Sequence, residues 1–351
     1  MRYYAITIVD PTSGKTLVPD PTTRVFTLQP SGPNVATYTS HVNGQFIPGA
    51  LNIELDATVY PMAMPQGGTM LRVWGVSLTE IGQRASLNGK LITIAAGMQK
   101  GLPLANPAQA GTIVKAKILQ AFGNWQGTEQ SLDFVIWPDI GTHDEPKSLT
   151  LNWKNGTQLA PALKTALSNA FPGVPLTMNI SPNVVANGDQ VGPYPTLIEL
   201  SQMLNGLTSK MNITKNYAGV NITYDATGIH VFDGTVTPKP TQIAFQDMVG
   251  QPTWIDAGII NVPLVMRYDL AVNGSITLPK DASGRGILGT PYVLTTAPAA
   301  LPNVPATSTA KNSTSFTGNF TINEVHHFGN YRQPDANSWV TVINAVAQTT
   351  G

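Results

Sequence analysis

The sequence predicts a mainly β protein with a smaller α/β part, in which two antiparallel β-domains, each a barrel or a sandwich, flank an inserted α/β domain. Short runs of alternating apolar and polar residues recur toward both ends of the chain, for example at residues 51–60. This period of two is typical of half-buried strands. Leucines at helical spacing are confined to the middle of the chain. A length of 351 residues is enough for two or three hydrophobic cores.

The first β-domain is predicted for residues 1–145. Its strands are predicted from β-branched, aromatic and alternating runs at residues 3–9, 51–60, 70–76, 91–96, 112–122 and 130–137. The Pro- and Gly-rich residues 10–34 are predicted to form a long loop or arm. Ser77 and Glu80 have the spacing of a capping box, which predicts a short helix at residues 78–85.

The middle domain is predicted for residues 146–235, after a boundary at residues 138–148 where proline, glycine and charged residues cluster. An apolar face predicts a helix capped by Thr157 that ends near residue 170, and a second helix at residues 195–210. Strands are predicted at residues 149–153, 176–180, 220–224 and 229–232.

The second β-domain is predicted for residues 236–351. Within it, residues 245–279 are divided by glycines and prolines and contain an apolar strand at residues 259–265, followed by a turn at Asn273-Gly274. Residues 281–315 are rich in Ala, Pro, Thr, Ser and Gly, and such a long segment inside one domain is unusual. It is predicted to be an extended arm against a neighbouring subunit, with a mobile loop as the alternative.

The composition excludes several classes of function. Twenty basic and twenty acidic residues cancel, and 11% of residues are charged, so no basic field predicts general nucleic-acid binding. A surface so poor in charge favours a protein covered by other subunits, although a surface rich in Thr, Asn and Ser is the alternative. The chain has no cysteine for disulfides or thiolate metal sites. Neither a signal peptide nor a membrane span is predicted, so synthesis in the cytoplasm is expected.

Motifs that could carry chemistry lack the context that the chemistry needs. Residues 284–289 match G-x-G-x-x-G, but neither a preceding strand nor a following helix is predicted, so a flexible turn is the better interpretation. Glu324 and His326 share one face of a predicted strand, while His327 points the opposite way and no third ligand is evident. We therefore expect no catalytic residues, no cofactor and no metal site, and a protein that is not an enzyme.

Several stretches together resemble one family, the baseplate hub proteins of contractile-tailed bacteriophages. The stretches are VWGVSLxEIGQxxxLNGKxIxIxAGM at residues 73–98, FGNW at 122–125, LAPALK at 159–164, LIELSQMLNGL at 197–207, GQPTW at 250–254, VNGSITLP at 272–279 and FTINEVHHFGNYRQPDANSWVTVINAVA at 320–347. The resemblance implies that both β-domains are tail-tube-like. It also implies a structural hub that adapts a sixfold tail tube to a threefold spike and surrounds the DNA exit path.

The resemblance also implies partners and a location. We expect a homotrimer in the baseplate of the virion tail, made in the host bacterial cytoplasm. Its partners would be a tail-tube ring above, a trimeric spike protein below and other baseplate proteins, with phage DNA passing without specific contacts. The candidate interface residues are Trp254, Tyr292, Val293 and Trp339. The alternatives are a glycan-binding or glycan-cleaving tail protein, and a tube-initiator or distal-tail ring protein.

A short internal sequence repeat favours a duplicated β-unit. Phe122-Gly123-Asn124-Trp125 is repeated as Phe328-Gly329-Asn330-Tyr331. Each is predicted to lie at the turn of a hairpin, the first at Gly123-Asn124 and the second at Gly329-Asn330, in equivalent places. Residues 1–140 and 236–351 are therefore expected to superpose.

Overall fold

A computed structural model describes residues 1–64, 68–98, 109–137, 149–214, 217–256, 258–279, 316 and 318–348. The strands in this part of the chain are β1 Arg2–Val9, β2 Thr16–Pro19, β3 Phe26–Gln29, β4 Tyr38–Thr39, β5 His41–Val42, β6 Gln45–Phe46, β7 Asn52–Val59, β8 Thr69–Trp74, β9 Leu91–Met98, β10 Gly111–Gln126, β11 Glu129–Trp137, β12 Leu149–Trp153, β13 Leu176–Asn179, β14 Gln190–Tyr194, β15 Asn221–Asp225, β16 Gly228–Phe232, β17 Thr241–Gln242, β18 Thr253–Asp256, β19 Ile259–Val265, β20 Ser275–Thr277, β21 Asn319–Asn330 and β22 Trp339–Ala347. The helices are α1 Leu78–Gly82, α2 Leu159–Ala170 and α3 Leu197–Thr208.

One large sheet contains strands from both β-rich parts of the chain. Fifteen of the described strands belong to it, and its main path runs β18-β19-β22-β21-β7-β8-β11-β10-β9-β1-β2-β3. Neighbours along this path are antiparallel. The predicted fold class, mainly β with antiparallel sheets and a smaller α/β part, is confirmed.

The two β-rich parts meet where β21 pairs with β7. We call this pairing the internal junction; it runs from Val325 opposite Val59 to Asn330 opposite Glu54. The core beneath β1 and β7–β11 also includes Trp339 from the second part. The predicted domains 1–145 and 236–351 are thus neighbours within one layer, and the residues of the predicted boundary at 138–148 lie outside the described part.

The strands have the same spatial order on each side of the internal junction. The first unit reads β7-β8-β11-β10-β9, and the second reads β18-β19-β22-β21-β20. In each unit the first two strands form a hairpin, the next strand in sequence lies at the far side, and the last two strands return between them. This order agrees with the predicted duplication of a β-unit.

The turn predicted at Gly123-Asn124 is wrong. Both residues lie inside β10, which continues to Gln126 before the chain reverses into β11. Gly123 is needed for packing, because a Cβ there would lie 2.3 Å from the Cγ2 of Ile81 on α1. Its counterpart Gly329 is at the end of β21 and lies against an indole ring.

The predicted arm at residues 10–34 instead contains the hairpin β2–β3, which extends the sheet beyond β1. Arg24 beside this hairpin donates two hydrogen bonds to the buried carboxylate of Glu80, 2.9 and 3.2 Å long. Tyr38 donates a third at 3.0 Å. Glu80 also completes the predicted capping box with Ser77, so this helix start is confirmed.

The middle part contains two small sheets covered by α2 and α3. β12 pairs with β14, and β13 and β15 flank β16, with β13 parallel to it. The prediction that Thr157 caps α2 is wrong. The Thr157 hydroxyl donates to the carbonyl of Lys154, and Gln158 occupies the N-cap position. α3 begins after Thr196, whose side chain accepts a hydrogen bond from the backbone N–H of Glu199. Buried leucines from both helices form a separate core.

Candidate functional site: the polar face of the shared sheet

The large sheet has one face on the hydrophobic cores and an opposite face rich in polar side chains. Alternation along β7 explains the division, since Ile53, Leu55 and Ala57 are buried in a core while Glu54 and Asp56 point the other way. We call this second side the polar face. Its hydrogen-bonded residues are Glu54, Asp56, Arg72, Asn124, Ser131, Asp133, Asn261, Glu324, His326, Asn330 and Asn344.

The first unit contributes a pair of charged side chains to this face. Arg72 donates to both carboxylate oxygens of Asp133, with Nε–Oδ1 at 2.9 Å and Nη2–Oδ2 at 2.7 Å. Asp133 also accepts from Asn124 at 2.9 Å and from Ser131 at 2.8 Å. The hydrogen bonds that Arg72 donates to Asp133 raise the pKa of Arg72. The guanidinium carbon lies 5.2 Å from the ring centre of Trp74, so this cation is fixed on both sides.

The internal junction carries polar contacts across the boundary between the units. Asn330 Nδ2 donates to Glu54 Oε1 at 3.1 Å, and Arg72 Nη1 lies 3.6 Å from Glu54 Oε2. His326 Nε2 lies 2.7 Å from Asp56 Oδ1. These contacts link side chains on β21, β7 and β8.

The second unit continues the band of polar contacts. Asn344 Nδ2 donates to Glu324 Oε2 at 2.7 Å, and Asn261 Nδ2 donates to Asn344 Oδ1 at 2.8 Å. Polar contacts therefore extend over seven neighbouring strands, from β19 to β10.

The hydrogen-bonded part of the polar face has a net negative charge. Its charged groups are the four carboxylates of Glu54, Asp56, Asp133 and Glu324, the guanidinium of Arg72, and the amino groups of Lys115 and Lys117, which alternate with buried residues of β10. The carboxylates therefore outnumber the cations by four to three when His326 is neutral. A hollow of about 380 Å³ lies over the internal junction between these groups. Within the described ranges no group of three or more His, Cys, Asp or Glu residues could hold a metal ion. The arrangement presents a hydrogen-bonded surface with an excess of carboxylates around the hollow.

The predicted interface residues occupy different environments. Trp339 is buried, with 2% of its surface exposed, and its indole Nε1 donates to the carbonyl of Gly97 at 3.0 Å. It therefore joins the two units inside one chain. Trp254 on β18 is half-buried and stacks on Phe316 at 5.5 Å. The remaining candidates Tyr292 and Val293, like the arm at 281–315 and the 284–289 motif, lie outside the described residues.

The alternation noted at residues 51–60 places Glu54 and Asp56 on the outward face of one strand, but it does not indicate their partners. Arg72 and Asp133 are charged residues flanked by apolar residues in β8 and β11, and that pattern is the available signal. Of the six tryptophans, Trp125 alone is strongly exposed, at 64%. Phe328, 44% exposed, and Phe122, 41% exposed, also lie near carboxylates of the polar face, so the glycan-binding alternative stays a prediction.

Comparison with solved structures identifies the fold. A tail protein from Neisseria meningitidis MC58 matches with a TM-score of 0.50 and 8% identity over 98% of this chain and 97% of its own. The 43 kDa tail protein of prophage MuSo2 from Shewanella oneidensis matches with a TM-score of 0.50 and 7% identity, over 99% and 98%. No protein-family model and no curated protein matches the sequence. The chain therefore has a fold related to that of tail proteins.

Proposed function

We propose that this chain is a structural hub of a contractile phage tail, which adapts the sixfold tail tube to a threefold spike and surrounds the DNA exit path. The observation that carries the proposal is the internal junction, which joins two β-units of the same strand order into one sheet. Each chain supplies two units side by side. Three chains therefore supply six units, and a threefold assembly can match a sixfold tube.

The polar face supports a role as the wall of the DNA path. Phosphates along DNA are attracted to lysine and arginine, and their release of counterions drives non-specific binding. Around the hollow, the three carboxylates of Glu54, Asp56 and Asp133 outnumber the one guanidinium of Arg72, and this excess of negative charge opposes such binding. DNA could then pass without being held, which is what a conduit requires.

The proposal includes partners and location. By resemblance to baseplate hubs, the assembly would contact a tail-tube ring on one side and a trimeric spike on the other, among other baseplate proteins. It would be made in the host bacterial cytoplasm and act in the virion tail as a structural protein, not an enzyme. No helix in the described ranges has the length and apolar composition to cross a membrane.

Light scattering of the purified chain at micromolar concentration tests the stoichiometry. The chain has a mass of 37.3 kDa, so a trimer has a mass of about 112 kDa, which is three times that value. We expect a trimer, alone or after addition of the spike protein. A monodisperse monomer under both conditions would contradict the hub proposal.

A further inference from the structure

Six asparagines of this chain are followed directly by glycine, and this pair of residues has a reactivity of its own. The backbone nitrogen of the glycine can attack the side-chain amide carbon of the asparagine, since no Cβ on the glycine hinders the approach. The pairs begin at Asn43, Asn88, Asn155, Asn187, Asn205 and Asn273, and all lie in the described ranges. The fold determines which of them can react, because the attacking nitrogen must lose its proton and must be free to move.

Hydrogen bonds hold four of the six glycine nitrogens. Three of these nitrogens donate to backbone carbonyls over 2.8–2.9 Å, namely those of Gly89, Gly156 and Gly274. Gly206 lies inside α3, where each N–H donates to the carbonyl four residues earlier. A nitrogen held in this way reaches the preceding side chain only after local opening of the structure, which costs free energy.

The N–H groups of Gly44 and Gly188 donate to no acceptor among the described residues. Gly188, however, is followed by Asp189, whose carboxylate is fixed. It accepts the N–H of Asn155 at 2.9 Å and lies 3.0 Å from the amino group of Lys154. These contacts hold the turn around Gly188, and the adjacent negative charge opposes removal of the amide proton. Gly44 therefore has the more reactive nitrogen of the two.

Asn43 and Gly44 form the tip of the hairpin β5–β6, which has two residues in each strand. Both have positive φ, 49° and 76°, as in a type I′ turn. Both are exposed, and a Cβ built on Gly44 would meet no atom within 4 Å. A hairpin this short opens locally at little cost, and its tip leaves room for the asparagine side chain to fold back on the backbone.

We propose that Asn43 is a site of spontaneous deamidation and the fastest of the six. The Gly44 nitrogen loses its proton to a base in the solvent and forms a bond to Cγ of Asn43. The bond from Cγ to the side-chain nitrogen then breaks, and ammonia leaves. Water opens the resulting succinimide ring at either carbonyl, which gives aspartate or isoaspartate. The inference goes beyond the proposed hub function and does not depend on it.

The reaction changes both the charge and the turn. A chain with equal numbers of acidic and basic residues gains a carboxylate at the hairpin tip, beside Val42 and Phe46, which are 47% and 42% exposed. In isoaspartate the main chain is one carbon longer, so a two-residue turn can no longer keep Val42 opposite Gln45. We therefore expect the hairpin to loosen around the edge-on contact between His41 and Phe46.

Peptide mass spectrometry of the purified full chain tests the proposal. The protein is incubated at mildly alkaline pH in native buffer and, in parallel, in denaturant, and each Asn-Gly peptide is scored for conversion of amide to acid. In denaturant all six pairs should convert at comparable rates. In native buffer Asn43 should keep most of its unfolded rate, whereas the four pairs with hydrogen-bonded glycines should slow about tenfold or more.

Asn43→Gln is the test variant, because its longer side chain must close a larger ring, which forms far more slowly. Asn187→Gln is the matched control. On anion exchange of aged protein, Asn43→Gln should remove most of the acidic species, and the control should leave them. Hydrogen exchange at residues 41–46 should be faster in aged wild type than in aged Asn43→Gln.

Two results would overturn the assignment of Asn43. One is slowing at Asn43 in native buffer equal to that at the four pairs with hydrogen-bonded glycines, measured on the wild-type chain. The other is a full set of acidic species in aged Asn43→Gln. Unchanged hydrogen exchange in the aged hairpin would overturn the expected loosening of the turn.

Discussion

Trp339 contacts both β-units, so replacing it should destabilise the whole large sheet. Its ring lies in the core of the first unit, 5.8 Å from the ring of Tyr331, although the residue itself belongs to β22 of the second unit. Its Nε1 hydrogen bond reaches Gly97 on β9. The perturbation is Trp339→Ala, with Trp125→Ala as the matched control on an exposed tryptophan.

The magnitude follows from burial. A buried aromatic side chain removes roughly 150–250 Å² from water, and truncation of such a residue to alanine typically lowers stability by about 3–5 kcal/mol. Loss of the indole donor also leaves the buried Gly97 carbonyl without this partner, which costs about 1–3 kcal/mol when nothing replaces it. Because these effects overlap, we expect Trp339→Ala to lower the free energy of unfolding by about 4–5 kcal/mol. Because Trp125 is 64% exposed, Trp125→Ala should lower the free energy of unfolding by less than about 1 kcal/mol.

Denaturant unfolding measures the loss, and hydrogen exchange read by mass spectrometry locates it. Peptides covering β7 and β21 should lose protection together in Trp339→Ala, since the two strands share the internal junction. A loss below 1 kcal/mol, or faster exchange in β21 with β7 unchanged, would refute the reasoning that the two units form one cooperative structure.

Three further predictions concern packing, pH and the polar face. Gly329→Ala should cost about 1–3 kcal/mol in denaturant unfolding, because its Cβ would lie 2.7 Å from the adjacent indole ring, whereas Gly192→Ala on β14 meets no atom within 4 Å and should be nearly neutral. Burial lowers the pKa of His327 to about 4 from 6.5, so the unfolded chain binds a proton that the folded chain does not. Stability should therefore be lost as pH falls from about 6.5 to 4, by up to about 3 kcal/mol, and thermal melts of His327→Gln should lack this part of the decline. The double variant Glu54→Lys/Asp56→Lys should retain DNA in low-salt gel-shift assays while the wild-type assembly does not; equal retention by both would contradict the proposed role of the polar face.

Local patterns in the sequence were sufficient for many individual elements. The apolar strand predicted at residues 259–265 coincides with β19, because alternation and bounding turns fix a strand locally. The capping box at Ser77 was equally readable, since its two hydrogen bonds join residues three apart.

The pairing of strands could not be read in the same way. The internal junction joins residues about 270 apart, and neither β7 nor β21 specifies its partner by composition. The turn at Gly123-Asn124 was mispredicted because Gly-Asn looks like turn chemistry. In the structure Gly123 has no side chain, which leaves room for Ile81 and lets α1 pack closely against β10.

Only part of the candidate site could be predicted, because the site also depends on which strands pair. The outward positions of Glu54 and Asp56 follow from alternation along one strand. The partners of these carboxylates come from β8 and β21, and register decides which side chains meet. A charged residue such as Arg72 in an apolar strand indicates which face of the strand points away from the core. It does not indicate which residue of another strand pairs with it.

Electron cryo-microscopy of the purified assembly tests the central claim most directly. The account predicts a closed threefold ring of three chains around a channel, with six β-units in the wall and the carboxylates of Glu54, Asp56 and Glu324 facing the channel. A monodisperse monomer, or a ring in which the polar face points away from the channel, would contradict it.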